Sequence, residues 1–186
     1  MSQKRQLLID TALELFYQQG INSIGINEVL KQSGVAKRTL YSHFDSKEAL
    51  ILAALEQRHQ VFISWFSQQI SQVSNANEMI EAVFDALASW FNGCAEPLGA
   101  FKGCFFINTS AEFSDQNSAT FHFCQAHKQA IKTAINTQLP TINAELVDTL
   151  CLLKEGAIVS VQLLGNATYV IALSKRNAKA VMASLN

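Results

Sequence analysis

The sequence predicts an all-α fold: a small N-terminal three-helix head followed by a larger helical body. Three observations predict it. Apolar residues recur at spacings of three and four along nearly the whole chain, as the 3.6-residue helical repeat requires. Only two prolines and eight glycines punctuate 186 residues. No convincing run alternates apolar and polar residues, so no strand is expected.

The elements follow in order. In residues 4–18, Leu7, Leu8, Ile9, Ala12, Leu15 and Phe16 keep helical spacing, and Gly20 stops the helix as a left-handed C-terminal cap. After the loop INSIG, residues 26–32 form a short helix with Ile26, Val29 and Leu30 inward and Gly25 at its N-cap. Gly34 breaks it. A third helix spans about 37–43, with Leu40 and Phe44 facing the core together. Asp45 to Glu48 reads as a capping box that starts a long fourth helix, reaching about residue 72. Further helices are expected at about 77–92, 104–113, 115–138 (closed by Pro140), 144–164 and 168–184. The domains are expected to be 1–45, the head, and 46–186, the body.

Bulk chemistry narrows the function. Charged residues make up 16% and the net charge is −1, so any nucleic-acid signal must be local. The N-terminus MSQKRQLLIDTALELF has a basic start, but Asp10 and Glu14 interrupt the apolar run, which reads as an amphipathic helix and not a signal peptide. The longest apolar stretch, GAIVSVQLL, is far short of a membrane span. A soluble cytoplasmic protein without a membrane partner is expected. Cys94, Cys104, Cys124 and Cys151 form no CxxC pair and no close Cys/His spacing, so neither a metal site nor a cofactor is expected, and the cysteines are expected as free thiols. No nucleophile–base set, metal cluster or phosphate loop appears, so no catalytic residues are assigned and an enzyme is not expected.

The stretch SGVAKRTLYSHFDSKEAL, residues 33–50, carries the functional signal. Two short helices joined through a glycine turn make a helix-turn-helix, whose second helix enters the major groove. Leu40 and Phe44 anchor its inner face, while Lys37, Arg38, Thr39, Tyr41, Ser42 and His43 occupy the other sides. The N-terminus of the next helix attracts a phosphate, and Lys47 adds a positive charge there.

This stretch resembles the signature of the TetR family of bacterial transcriptional regulators. The glycine, the Leu-Tyr-x-His-Phe block and the Ser-Lys-Glu-x-Leu block all occur in register, and the match covers about the first quarter of the chain. The resemblance implies base-edge contacts from Arg38, Thr39, Ser42 and His43, phosphate contacts from Tyr41 and Lys47, and Lys37 near the backbone or a base. Three departures stand out. Ile24 and Gly25 replace a threonine and a serine or threonine, Ala36 replaces a capping serine, and Leu30 replaces an alanine. The missing caps each cost about 1 kcal/mol locally.

Ten of twelve phenylalanines and both tryptophans lie beyond residue 60. Aromatic side chains mostly fill cores, yet small-molecule pockets are largely apolar and often lie between helices. The resemblance implies such a pocket, lined from the fourth, fifth, seventh and eighth helices; Phe62, Trp65, Phe66, Phe84, Phe105, Phe121 and Gln125 are its candidates. His122 and His127 read as exposed. Cys104, beside Lys102 and near a helix start, reads either as a buried apolar thiol or as a redox or electrophile switch. The last two helices are apolar on more than one side, and Gly156, Ala157 and Ser160 allow close approach. The resemblance implies a homodimer through these two helices.

The expected function is a ligand-responsive, DNA-binding transcriptional regulator. It acts as a repressor released from a palindromic operator by a small hydrophobic or aromatic effector. The alternatives are a structural or cell-division factor on the same scaffold without an inducer, and a thiol-based sensor using Cys104.

Overall fold

The computed structural model describes residues 2–139 and 143–185, all of them in helices, turns and loops. The helices are α1 (Gln3–Gln19), α2 (Ile26–Ser33), α3 (Lys37–Tyr41), α4 (Lys47–Gln69), α5 (Ala76–Phe91), α6 (Phe105–Glu112), α7 (Ala119–Gln138), α8 (Ala144–Leu164) and α9 (Ala167–Ser184), with a 3₁₀ turn at Glu96–Leu98. The fold is all-α, as the periodicity predicts. Pro140, expected to close α7, lies outside the described residues.

The chain divides into two compact units. One comprises Met1–Gln60 with Phe105–His127, the other Val61–Cys104 with Lys128–Asn186. In the first, α1 packs on α2 and α3. Leu8, Ala12, Ile21, Val29, Leu40 and Leu50 are fully buried there. In the second, α5, α8 and α9 pack on one another. Met79, Ile80, Val83, Phe84, Leu87 and Trp90 supply the buried stripe of α5 at helical spacing.

Several boundaries differ from those expected, for local reasons. The recognition helix α3 ends at Tyr41, not at residue 43. The Ser42 N–H still reaches the Arg38 carbonyl (3.0 Å), but the His43 N–H turns to the Leu40 carbonyl (2.9 Å), tightening the last turn. The cap of α4 is Ser46, one residue later than the expected Asp45: its Oγ accepts from the Ala49 N–H at 3.1 Å. With alanine at the third helical position, no reciprocal capping box closes. The helix stops at Gln69, short of residue 72.

Helix α7 starts at Ala119, not 115. Asp115 Oδ1 accepts from the Asn117 N–H (3.0 Å) in a turn, and Ser118 Oγ then caps the Phe121 N–H (3.1 Å). Gly34 adopts φ +67°, ψ 10°, the left-handed cap of α2, and its N–H reaches the Leu30 carbonyl at 2.9 Å. Gly20 differs from the expected left-handed cap. At φ 84°, ψ 150° it sits in a region open almost only to glycine.

Leu40 is fully buried and holds α3 against α1. Leu40→Ala is expected to lower unfolding free energy by about 3 kcal/mol in urea titration. A drop of under about 1 kcal/mol would mean that the inner face of α3 is not a packed surface.

Candidate nucleic-acid interface

The candidate interface is built from α2, the turn at Gly34, α3 and the start of α4. Gly25 is the N-cap of α2 and Ala36 that of α3, and neither gives a side-chain cap. Both rely on backbone bonds alone, such as Thr39 N–H to the Ala36 carbonyl at 2.9 Å. Below the turn, Val35, Leu40 and Phe44 are buried. The Arg5 guanidinium lies 5.1 Å from the centre of the Phe44 ring, and the His43 ring meets the same ring edge-on.

Above the turn, Lys37, Arg38, Tyr41 and Ser42 are exposed, while Thr39 and His43 are half-buried. Ser42 Oγ donates to the Thr39 carbonyl at 2.7 Å, which fixes its orientation. The six candidate residues therefore come together on one short segment. Lys47 sits just inside α4 and is half-buried. Its ammonium donates to the Ile21 carbonyl at 2.8 Å. Burial pushes its pKa down from the usual lysine value, with the Glu112 carboxylate opposing the shift.

Residues 8–54 match the sequence profile described as bacterial regulatory proteins, tetR family. Over nearly its whole length the chain superposes on a TetR-family transcriptional regulator from Streptomyces coelicolor, SCO4454. The TM-score is 0.84 at 25% identity, covering 97% of this chain and 95% of that one.

Residues 8–54 thus carry the TetR-family segment, on a chain with the fold of a TetR-family regulator.

Among curated relatives, it is 30% identical to the transcriptional repressor NemR of Escherichia coli over 112 residues, 60% of this chain and 54% of NemR. It is 46% identical to the transcriptional regulator YuxN of Bacillus subtilis over 55 residues, 30% of this chain and 19% of YuxN. These matches thus span about half, or less, of the relatives' lengths.

The ligand candidates divide between the units. Phe62, Trp65, Phe66 and Phe84 are buried in the second. Phe62 contacts Trp65 (5.5 Å between ring centres), Phe66 (6.0 Å) and Trp90 (5.4 Å). Trp90 Nε1 is buried without a hydrogen-bond partner among the described residues. Phe105, Phe121 and Gln125 belong to the first unit. Phe105 is buried against Tyr17 and Phe106, Phe121 is half-buried and Gln125 is exposed. The exposed His122 agrees with expectation, but His127 does not. It is buried, stacked on Phe106 at 3.5 Å, with its Nδ1 3.0 Å from His59 Nδ1.

Periodicity did not reveal the charged cluster of the second unit. Lys128 Nζ lies 3.3 Å from Cys104 Sγ and 2.6 Å from Glu155 Oε2. The cation placed on the thiol is thus Lys128, although sequence proximity suggested Lys102. Lys154, with a side chain only 3% exposed, pairs with the other oxygen of Glu155. The nearest sequence signal was the adjacent Lys154-Glu155 pair, which gave no hint of Lys128.

Burial pushes the Glu155 carboxyl up, but the Lys154 and Lys128 ammoniums outweigh it and hold it below the usual carboxylate range. A depressed folded-state pKa contributes stability that is present above the unfolded value and lost as pH falls through the folded one. Glu155→Gln should therefore cost about 2 kcal/mol near neutral pH, since it leaves Lys154 buried without its counter-charge. It should also flatten the fall of stability below about pH 4.5. Urea midpoints measured from pH 3 to 7 check both; a variant as stable and as acid-sensitive as the parent would show that the cluster does not stabilise the fold.

Proposed function

We propose that this chain is a homodimeric, ligand-responsive DNA-binding regulator of the TetR family that represses transcription from a palindromic operator. The observation that carries the reading is the short helix α3, anchored by the buried Leu40 and Phe44 and presenting Lys37, Arg38, Thr39, Tyr41, Ser42 and His43 together. On this reading, residues 1–45 are the DNA-binding head and 46–186 the ligand-binding and dimerisation body. Arg38, Thr39, Ser42 and His43 read base edges, and Tyr41 and Lys47 hold phosphates. A bidentate arginine–guanine pair is worth about 1–3 kcal/mol of discrimination.

The dimer reading places α8 and α9 at the two-fold interface. Leu152 (75% exposed), Leu163 (74%), Leu164 (82%) and Tyr169 (59%) support it, because large apolar residues this exposed on two adjacent helices need a cover. A cleft of about 620 Å³ runs between the two helices, lined by Leu152, Gly156, Ser160, Leu164, Tyr169 and Val170 among others. Paired heads then read half-sites spaced by whole helical turns.

The effector reading rests on the aromatic group around Trp90, where an unpartnered indole N–H within apolar walls favours a hydrophobic or aromatic compound with an acceptor. No described helix is long and apolar enough to cross a membrane, which accords with a cytoplasmic regulator. Relatives bearing regulator names accord with a function in binding and not in catalysis.

Selection of bound duplexes from random DNA tests the reading directly. A palindromic consensus is expected; enrichment of no sequence would sink it. With that duplex, Tyr41→Phe combined with Lys47→Ala should weaken binding across all sequences. It should also make the slope of log affinity against log salt shallower by about 1 for each phosphate that the variant no longer neutralises. An unchanged slope would mean that these two residues do not hold phosphates.

The Lys128 contact favours a second reading, a thiol-based response at Cys104. The Lys128 ammonium donates to the Cys104 sulfur at 3.3 Å, a contact that sets this thiol apart from the other three. Under limiting hydrogen peroxide, Cys104 should be oxidised before the other three cysteines, as read by peptide mass spectrometry, and Lys128→Met should abolish that preference. Equal oxidation of all four would leave Cys104 as an inert, buried thiol.

A further inference from the structure

The peptide joining Ile21 and Asn22, in the loop between α1 and α2, is gripped from both ends. On one side stands Glu112, the last residue of α6. Its Oε1 accepts the Ile21 N–H at 2.9 Å and its Oε2 the Asn22 N–H at 2.6 Å. Its backbone carbonyl also accepts the Asn22 side-chain amide at 3.4 Å. On the other side, the Ile21 carbonyl accepts from the Lys47 ammonium at 2.8 Å. The Asn22 N–H and the Ile21 C=O belong to one peptide unit. Its positive end therefore faces a carboxylate and its negative end an ammonium, both favourable orientations.

The arrangement has a backbone requirement and an electrostatic cost. A Cβ at Gly20 would lie 3.2 Å from Glu112 Oε1, and Gly20 has φ +84°, so the loop must turn on glycine for the carboxylate to enter. A carboxylate in the last turn of a helix opposes the helix dipole, and here two backbone donors offset that opposition. Packing of α6 alone would not need an acid at this position.

We infer that Glu112 is a positioning residue for DNA binding: through the Ile21–Asn22 peptide it sets Lys47 and the entry to α2, so that the placement of α6 is read out as operator affinity. Glu112 itself touches no DNA. The inference rests on the DNA-binding reading above and deepens it. It gives Lys47 a second duty, since the ammonium assigned to a phosphate is also the cation that orients this peptide. It also names the structural route by which a displacement of α6 would reach the head.

The test uses the full chain and the duplex recovered by selection. Glu112→Ala should weaken operator binding about tenfold, and Glu112→Gln, which keeps one good acceptor, by less. The salt slope should become shallower by no more than the single phosphate assigned to Lys47, because Glu112 itself neutralises none. Amide exchange at Ile21 and Asn22 should accelerate while protection at Leu8 and Leu40 persists. The affinity decreases of Glu112→Ala and Lys47→Ala should be less than additive in the double variant, because both act on one peptide.

Wild-type affinity in Glu112→Ala would overturn the inference. So would loss of protection throughout the head, a salt slope steeper than wild type or shallower by more than one phosphate, or fully additive effects. If the wild-type chain itself enriches and binds no duplex, the DNA-binding reading falls and this inference with it. If the wild type binds and the variants bind equally, this inference alone falls.

Discussion

A helix of five residues does not hold itself together, and α3 is such a helix. It exists because Leu40 and Phe44 are buried beneath it, with Leu40 fixing it against α1. Everything proposed for the head depends on that burial. The caps that would otherwise stabilise the two short helices are missing at Gly25 and Ala36. Packing must therefore supply what capping does not, and the inner face of α3 leaves little room for substitution. The exposed Lys37, Arg38, Tyr41 and Ser42 above it take no part in that packing.

The head was legible in the sequence because its determinants are local. A glycine at a left-handed cap, two apolar residues four apart and a hydroxyl before a long helix are all read within a few positions. Even so, the cap fell on Ser46 and not on Asp45, because both residue types make good caps and only the geometry chooses. The two units were not legible, because α6 and the first part of α7 return to the unit containing α1 from more than 80 residues away. The same holds for His127, which reads as a surface histidine until His59 and Phe106 are seen around it. Lys128 on Cys104 and Glu112 on Ile21 are likewise pairings between elements distant in sequence. Periodicity says which face of a helix is buried but not which polar group meets it there.

Two charge clusters of the second unit, one around the buried Lys154 and one near the surface, share a pattern. Lys154, Lys128 and Glu155 form a compact set in which one carboxylate serves two ammoniums, and Glu81 serves Lys175 and Lys179 in the same way. Hydrogen bonds from Lys175 and then Lys179 hold the Glu81 carboxyl below its usual range. Removing Glu155 leaves the buried Lys154 without its counter-charge, whereas removing Glu81 still leaves Lys175 paired with Asp85 at 2.6 Å. Such arrangements contribute less to net stability than to a single geometry, because desolvation offsets most of the attraction.

Magnitudes decide whether a grip as small as that on the Ile21–Asn22 peptide matters to regulation. A tenfold change in affinity needs only about 1.4 kcal/mol. A hydrogen bond to a charged group is worth about 1.5–3 kcal/mol. Glu112 makes two such bonds to the α1–α2 loop, and Lys47 makes a third from the opposite side. On the proposed reading, weakening one of them is enough to move operator occupancy by an order of magnitude without unfolding the head. An effector can shift binding only by its differential affinity for two conformations. The energy it must redirect is therefore comparable to one or two bonds of this grip, which is within the coupling of about 1–3 kcal/mol that regulated proteins use. On that reading, because the two Glu112 bonds run from α6 to the α1–α2 loop, a small shift in α6 is enough to weaken them, and no rearrangement of Leu40 or Phe44 is needed.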